Sequence, residues 1–278
     1  TILALSIMRL VPANGRIISG EILFSGTDLL KLSEDEMRSR RGRDISMIFQ
    51  EPMTSLNPVF RIGEQISEAI RLHQKLPAKQ SMEKSIDLLS EVGIPDPRKR
   101  ARDYPHNLSG GMRQRVMIAM AVSCHPRLLL ADEPTTALDV TIQAQILDLI
   151  SVLKQKKNMA VVLITHDLGV IAQSAEKVAV MYAGKIVEFS DVGTLFSNPL
   201  HPYTQGLLES VPARCFDSGE KHEYLKTIPG SVPDLYNLSS ACRFYDRCFC
   251  ALEECRVCEP SLREINVGHY VACGKVKR

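Results

Sequence analysis

A run of four apolar residues, 128–131, ends directly on two adjacent acids, Asp132 and Glu133. A short continuous apolar run of this kind is typical of a parallel strand that is buried on both faces. Such a strand delivers its two carboxylates to the carboxyl edge of a sheet, which is where nucleotides bind in α/β folds. One carboxylate can hold Mg²⁺ and the next can act on a water. The feature therefore predicts an α/β protein with a nucleotide site at one sheet edge.

Two further apolar runs end on polar side chains. Residues 45–49 lead to Gln50, and residues 160–165 lead to His166. We expect both runs to be buried strands beside the first, because the carboxyl ends of parallel strands meet at the same edge of a sheet. Asp139 follows the paired acids closely and belongs to the same candidate site.

The motif Ser109-Gly110-Gly111 precedes an apolar segment with helical periodicity. A serine followed by two glycines at the start of a helix offers a hydroxyl group and bare backbone N–H groups. Together with the helix dipole these groups favour an anion. The motif predicts a phosphate-binding helix N-terminus.

These motifs, in this order, resemble those of the ATPase subunits of the ATP-binding cassette (ABC) family. Residues 201–204 and 228–235 and the cysteine-rich segment resemble the carboxyl extension of its dipeptide and oligopeptide importer ATPases, of the dipeptide permease D type. The resemblance covers the whole chain, and nickel importer ATPases are close relatives. It implies a P-loop NTPase-like α/β core at residues 1–196, with a helical subdomain at about 54–123. Residues 197–278 would form a small cysteine-rich extension.

The resemblance also implies roles for residues that match the family's motifs. Glu133 would polarise the water that attacks the γ-phosphate, His166 would hydrogen-bond that phosphate, and Gln50 would contact both the metal and the water. Ser109, Gly110, Gly111 and Asp139 would serve a nucleotide bound mainly by the opposite subunit. The residues expected to bind ATP and Mg²⁺ are Thr1, Gln50, Ser109, Gly110, Gly111, Asp132, Asp139 and His166.

A Gly-rich phosphate loop with its Lys is absent from the 278 residues. Residues 1–10 resemble the helix that follows this loop, with Thr1 as the Mg²⁺-binding hydroxyl. We therefore expect a chain that lacks the N-terminal strands and the loop, and that hydrolyses ATP poorly by itself, because the phosphate charges lack compensation. An alternative is an inactive remnant that keeps only the dimer and metal modules.

Charge and hydropathy limit the partners. A net charge of +2 indicates no polyanion-binding surface, and we interpret the basic run 38–43 as a solvated loop, so no nucleic acid is expected. No apolar stretch is long enough to span a bilayer.

The resemblance implies a soluble subunit at the cytoplasmic face of the inner (plasma) membrane. Its partners would be a second homologous ATPase in a heterodimer, two transmembrane permease subunits and, indirectly, an extracytoplasmic peptide-binding protein. An ABC ATPase without a membrane partner is the alternative.

Six of the eight cysteines lie between Cys242 and Cys273. Four of them, separated by five, six and seventeen residues, match the family pattern, which implies a [4Fe–4S] cluster held by Cys242, Cys248, Cys255 and Cys273. Cys250 and Cys258 depart from that pattern, so a Zn²⁺ site that uses a different set of four is an alternative. Free thiols are the third alternative.

Overall fold

The computed structural model describes residues 1–50, 55–211 and 226–276, and the chain divides into two compact units, Thr1–His166 and Asp167–Arg278. The helices of the first unit are α1 (Ile2–Ile7), α2 (Glu34–Arg40), α3 (Ile62–Gln74), α4 (Ala78–Glu91), α5 (Pro97–Arg100), α6 (Gly110–Val122) and α7 (Val140–Lys156). Its strands are β1 (Leu23–Phe24), β2 (Thr27–Asp28), β3 (Ile45–Ile48), β4 (Leu128–Asp132) and β5 (Ala160–Ile164).

In the second unit the helices are α8 (Leu168–Ser174), α9 (Val192–Ser197), α10 (Pro202–Glu209) and α11 (Glu253–Val257). Its strands are β6 (Lys177–Tyr182), β7 (Lys185–Asp191), β8 (Arg263–Asn266) and β9 (His269–Val271). Throughout the described ranges, no helix is both long enough and apolar enough to cross a lipid bilayer.

The centre of the first unit is a parallel sheet with the strand order β3-β4-β5. In its register Ile48 lies beside Ala131, and Asp132 lies beside Ile164. The three predicted strands are therefore confirmed, and their carboxyl ends reach one edge of the sheet.

The central strand β4 is buried because apolar groups cover both faces of the sheet. Leu129 belongs to a core that α3, α4, α6 and α7 build on one face, whereas Leu130 belongs to a core with α1 and α2 on the other. The prediction that β5 is equally buried was wrong. β5 is an edge strand of this sheet, and Val162 in its middle is 38% exposed.

The range predicted as a helical subdomain contains helices α3 to α6, although its first residue, 54, lies outside the described residues. Ile66 and Ile70 are fully buried in α3, whereas Leu72 is 67% exposed. Two positions after Ile70 is 200° around an α-helix, so Leu72 points away from the core. Helix α4 ends at Glu91, just before Gly93, whose φ of 75° suits glycine.

The interpretation of residues 38–43 as a solvated loop was wrong in part, since α2 continues through Arg40. Ser33 and Glu36 form a capping box that starts this helix. The basic side chains have acidic partners: Arg41 pairs with Glu34 at 2.6 Å, and Arg43 pairs with Asp44 at 3.0 Å. These carboxylates neutralise the basic run.

The second unit is built on the antiparallel sheet β6-β7-β9-β8. Its β6-β7 hairpin turns at Ala183 and Gly184, and both residues have positive φ, which favours the tight turn. Strand β9, from the far end of the chain, pairs with β7. The division after His166 therefore differs from the predicted boundary at 196, because one sheet takes strands from both sides of that boundary.

Candidate active site

Three side chains meet where the parallel strands of the first unit end. Glu133 directly follows β4, while Gln50 and His166 each lie two residues beyond their strands, β3 and β5. Nε2 of Gln50 donates to Oε2 of Glu133 at 3.0 Å, and Nδ1 of His166 lies 3.1 Å from Oε1. The structure thus brings together the three residues that the sequence predicts to be catalytic.

The backbone holds Glu133 in an unusual conformation. Its φ is 47°, in the left-handed region that residues with a Cβ rarely adopt, and its N–H donates to the carbonyl of Ile164 at 2.8 Å. This bond ties the turn after β4 to the end of β5. A strained backbone that is fixed by its surroundings is common at functional sites.

The carboxylate of Glu133 has a third neighbour, Thr136, that the sequence analysis missed. The hydroxyl of Thr136 donates to Oε2 at 2.8 Å and is the largest influence that lowers the pKa of Glu133 below its usual value. Hydrogen bonds from His166 and Gln50 lower this pKa further, although partial burial opposes them. The only sequence feature that could have indicated this contact is a threonine three residues after the acid, and a threonine at that position is equally typical of a turn.

This environment keeps Glu133 ionised, and an ionised carboxylate can only accept hydrogen bonds. Nδ1 of His166 must therefore carry a proton when it bonds to Oε1. Both carboxylate oxygens are held in place, yet the Glu133 side chain is 22% exposed, so a water can approach it. The arrangement can orient and polarise a water molecule, which is the role that the sequence analysis assigned to Glu133.

Asp132 lies next to Glu133 but in a different environment. It is 1% exposed, and the hydroxyl of Thr1, the N-cap residue of α1, donates to Oδ1 of its carboxylate. A carboxylate beside a hydroxyl is a typical protein contribution to Mg²⁺ binding, because Mg²⁺ takes its other ligands from water and substrate phosphates. The residues present therefore fit Mg²⁺.

The second group of predicted binding residues lies at two helix N-termini. Ser109 is the N-cap of α6, and its Oγ accepts from the N–H of Met112 at 3.3 Å. Asp139 is the N-cap of α7, and its Oδ1 accepts from the N–H of Ile142 at 3.0 Å. Both caps are exposed. The predicted residues thus fall into a sheet-edge group around Glu133 and a helix-cap group around Ser109 and Asp139.

In the second unit, the four predicted cysteine ligands line one cavity together with Cys250, His201 and Phe244. Sγ of Cys250 lies 3.7 Å from Sγ of Cys248, whereas Cys258 is exposed. Burial raises the pKa of the Cys248 thiol to about 12 and also raises that of Cys242. In the described ranges, no three His, Cys, Asp or Glu side chains are arranged to hold a metal ion. The predicted cluster therefore stays a prediction.

Comparison with known proteins gives consistent matches. Residues 1–136 match the family described as ABC transporter, and residues 187–255 match the one described as Oligopeptide/dipeptide transporter, C-terminal region. The Dipeptide transport ATP-binding protein DppD of Escherichia coli (strain K12) is 50% identical over 270 residues, which cover 97% of this chain and 81% of DppD. The Oligopeptide transport ATP-binding protein AppD of Bacillus subtilis (strain 168) is 50% identical over 274 residues, which cover 98% of this chain and 82% of AppD.

A solved structure shares the fold. The ATP-binding cassette MJ0796, in a dimeric post-hydrolysis state bound to ADP and Pi, matches with a TM-score of 0.60 and 24% identity. The match covers 69% of this chain and 79% of that chain. At this identity the likeness concerns the fold alone.

Proposed function

We propose that this chain, which belongs to the ATP-binding proteins of peptide-importing ABC transporters, hydrolyses ATP to drive the import of dipeptides or oligopeptides. The observation that carries this proposal is the convergence of Gln50, Thr136 and His166 on the carboxylate of Glu133. The peptide cargo is inferred from the names of the relatives.

Glu133 orients and polarises the attacking water. Its lowered pKa keeps it an acceptor, and its hydrogen bonds from Gln50 and Thr136 fix the direction of its lone pairs. Phosphoryl transfer passes through a loose transition state, so positioning and charge stabilisation contribute most of the acceleration. The carboxylate therefore acts mainly by holding the water in line.

Asp132 and Thr1 are the residues that would hold Mg²⁺, which supplies charge neutralisation to the phosphates when it is bound. Asp132 is suited to this role because it is buried and its carboxylate already accepts a hydrogen bond from the hydroxyl of Thr1. Gln50 adds a neutral contact that can reach the metal or the water. His166, with Nδ1 bonded to Glu133, keeps Nε2 free to face the γ-phosphate.

A second homologous ATPase would complete the site. Ser109 and Asp139 are exposed N-cap residues of α6 and α7. Each side chain accepts a hydrogen bond from a backbone N–H of the helix that it caps, and not from the Glu133 group. Ser109, Gly110 and Gly111 would then bind a nucleotide held mainly by the opposite subunit, with Asp139 aligning the interface. We infer a heterodimer bound to two permease subunits at the cytoplasmic face of the inner membrane, with a peptide-binding protein acting outside.

The cysteine cavity would hold a structural [4Fe–4S] cluster through Cys242, Cys248, Cys255 and Cys273, with Zn²⁺ as the alternative. All four cysteines line one cavity, and soft sulfur donors suit both metals. A metal would displace the thiol protons, which burial favours at Cys242 and Cys248 because it raises the pKa of those two thiols. Iron and sulfide assays after anaerobic purification distinguish the two, since zinc without sulfide rejects the cluster.

Serine variants test the ligand set. Cys242→Ser is expected to lose the metal, and Cys258→Ser, at an exposed position, is the matched control that keeps it. Cys250→Ser is informative because Cys250 lines the same cavity. Metal loss in Cys250→Ser but not in Cys242→Ser would show that a different four cysteines bind.

The ATPase proposal is tested with Glu133→Gln in a chain that carries a Gly-rich loop ending in Gly-Lys ahead of Thr1. The amide keeps the shape but cannot polarise water as a carboxylate does, so turnover is expected to fall by about 100-fold or more while ATP binding persists. Glu83→Gln, an exposed acid in α4, is the control and should leave turnover unchanged. An unchanged rate in Glu133→Gln would remove Glu133 from catalysis.

A further inference from the structure

Gly111, in the first turn of α6, faces the side chain of Ile142 in the first turn of α7. A Cβ at position 111 would lie 2.8 Å from Cγ2 of Ile142, a separation that real Cβ atoms essentially never show. At Gly110, one residue earlier, a Cβ would lie 3.8 Å from the Leu138 side chain, which is ordinary contact. The lack of a side chain is therefore required at Gly111 and not at Gly110. Ile142 fills the space above the Gly111 backbone.

Arg115 makes a second connection one turn further along the same face of α6. Its Nη2 donates to Oε1 of Gln145 in α7 at 2.9 Å. Its Nη1 donates to the carbonyl of Val92, at the end of α4, at 2.7 Å. Arg115 follows Gly111 by four residues and Gln145 follows Ile142 by three, so the two contacts stack one above the other along both helices.

We propose that the N-terminal turns of α6 and α7 form one rigid block in which Ile142 is a positioning residue. The contact between Gly111 and Ile142 sets the separation of the two helices, and Arg115 sets their relative rotation. The block holds the Ser109 cap and the Asp139 cap in fixed relation, so that both reach a partner subunit together. This inference rests on the proposed function, since it concerns how the two caps are presented.

The chain offers a matched set of substitutions. Gly111→Ala introduces the clash, and Ile142→Ala relieves it, because the Ile142 Cβ that remains would lie 3.9 Å from the new methyl group. Ile142→Val keeps both γ carbons, including the Cγ2 that would lie 2.8 Å from the new methyl group, and so cannot relieve the clash. Gly110→Ala controls for helix propensity, because both glycines lie in the first turn of α6.

The first measurement is hydrogen exchange of the α6 and α7 amides in the whole chain. Gly111→Ala is expected to lower their protection by about tenfold, and Gly110→Ala to leave it unchanged or higher. Adding Ile142→Ala to Gly111→Ala should restore protection to the level of Ile142→Ala alone. Adding Ile142→Val to Gly111→Ala should not restore protection. Equal protection in Gly111→Ala and Gly110→Ala would overturn the proposed packing.

The second measurement is ATP-driven association of the same variants, made in the loop-bearing chain with Glu133→Gln. Association should weaken by about tenfold in Gly111→Ala and recover to within about threefold when Ile142→Ala is added. Loss that persists in the double variant, despite restored exchange protection, would show that Gly111 acts only on the nucleotide and would overturn the positioning role. If no variant associates, including the parent chain, the proposed function fails while hydrogen exchange still decides the packing.

Discussion

The buried carboxylate of Glu188 is expected to be among the most sensitive positions of the second unit. Glu188 lies in β7 and is 0% exposed. Its carboxylate accepts from Nε2 of His269 at 2.7 Å and from the backbone N–H groups of Leu200 and His201 at 2.7 and 3.0 Å. One side chain therefore joins β7, β9 and the start of α10.

Glu188→Ala would leave these three donors without their acceptor. An unsatisfied buried donor costs about 1–3 kcal/mol, so three give a loss of about 4 kcal/mol if a water reaches one of them. Glu188→Gln keeps one acceptor oxygen but turns an NH₂ group toward a donor, for a loss of about 2 kcal/mol. The unfolding free energy is expected to be highest in wild type, lower in Glu188→Gln and lowest in Glu188→Ala.

Urea unfolding of the whole chain, followed by far-UV circular dichroism and by hydrogen exchange within β7 and β9, measures these losses. Glu83→Ala is the control, because the Glu83–Arg98 pair is exposed on both sides and solvent screening leaves it little effect on stability. If Glu188→Ala lies within about 1 kcal/mol of wild type, the reasoning from buried donors is refuted.

Thr136→Val should raise the pKa of Glu133 toward its usual value, because it removes the largest lowering influence, and the acid limb of the ATPase pH profile should move to higher pH. Burial lowers the pKa of His201 from 6.5 to about 4, so the unfolded chain binds a proton that the folded chain does not. The unfolding free energy should therefore decrease as pH falls from 6.5 to 4. His201→Asn should flatten that dependence in urea titrations, because the asparagine Oδ1 can replace Nδ1 as the acceptor of the Tyr203 N–H at the helix cap. Asp139→Ala should cost about 1 kcal/mol through the lost cap, seen as faster hydrogen exchange at Ile142.

The sheet edge could be predicted from the sequence because continuous apolar runs specify parallel strands, and each run ended on a polar residue. Parallel strand geometry brings Gln50, Glu133 and His166 to the same sheet edge, and this follows without knowledge of side-chain packing. Thr136 could not be predicted this way, since its role depends on the left-handed turn at Glu133. The close contact between Gly111 and Ile142 depends on the distance between two helices, which periodicity does not encode.

The second unit was less predictable because its order depends on pairings between residues far apart in the chain. Strand β9 joins β7 across more than 80 positions, and the bond between Glu188 and His269 has no local signature. Cys250 was set aside because it departs from the spacing of the other four cysteines, yet it lines their cavity. Spacing identified the cysteines as a group but not which thiols face one another.

Peptide uptake by the complete transporter tests the central claim most directly. Proteoliposomes that contain the loop-bearing chain with its partner ATPase, both permease subunits and the binding protein are loaded with ATP and given a labelled dipeptide outside. Wild type should accumulate the dipeptide, and Glu133→Gln should bind ATP yet accumulate none. Uptake by Glu133→Gln at the wild-type rate, or accumulation of nickel in place of the dipeptide by wild type, would contradict the account.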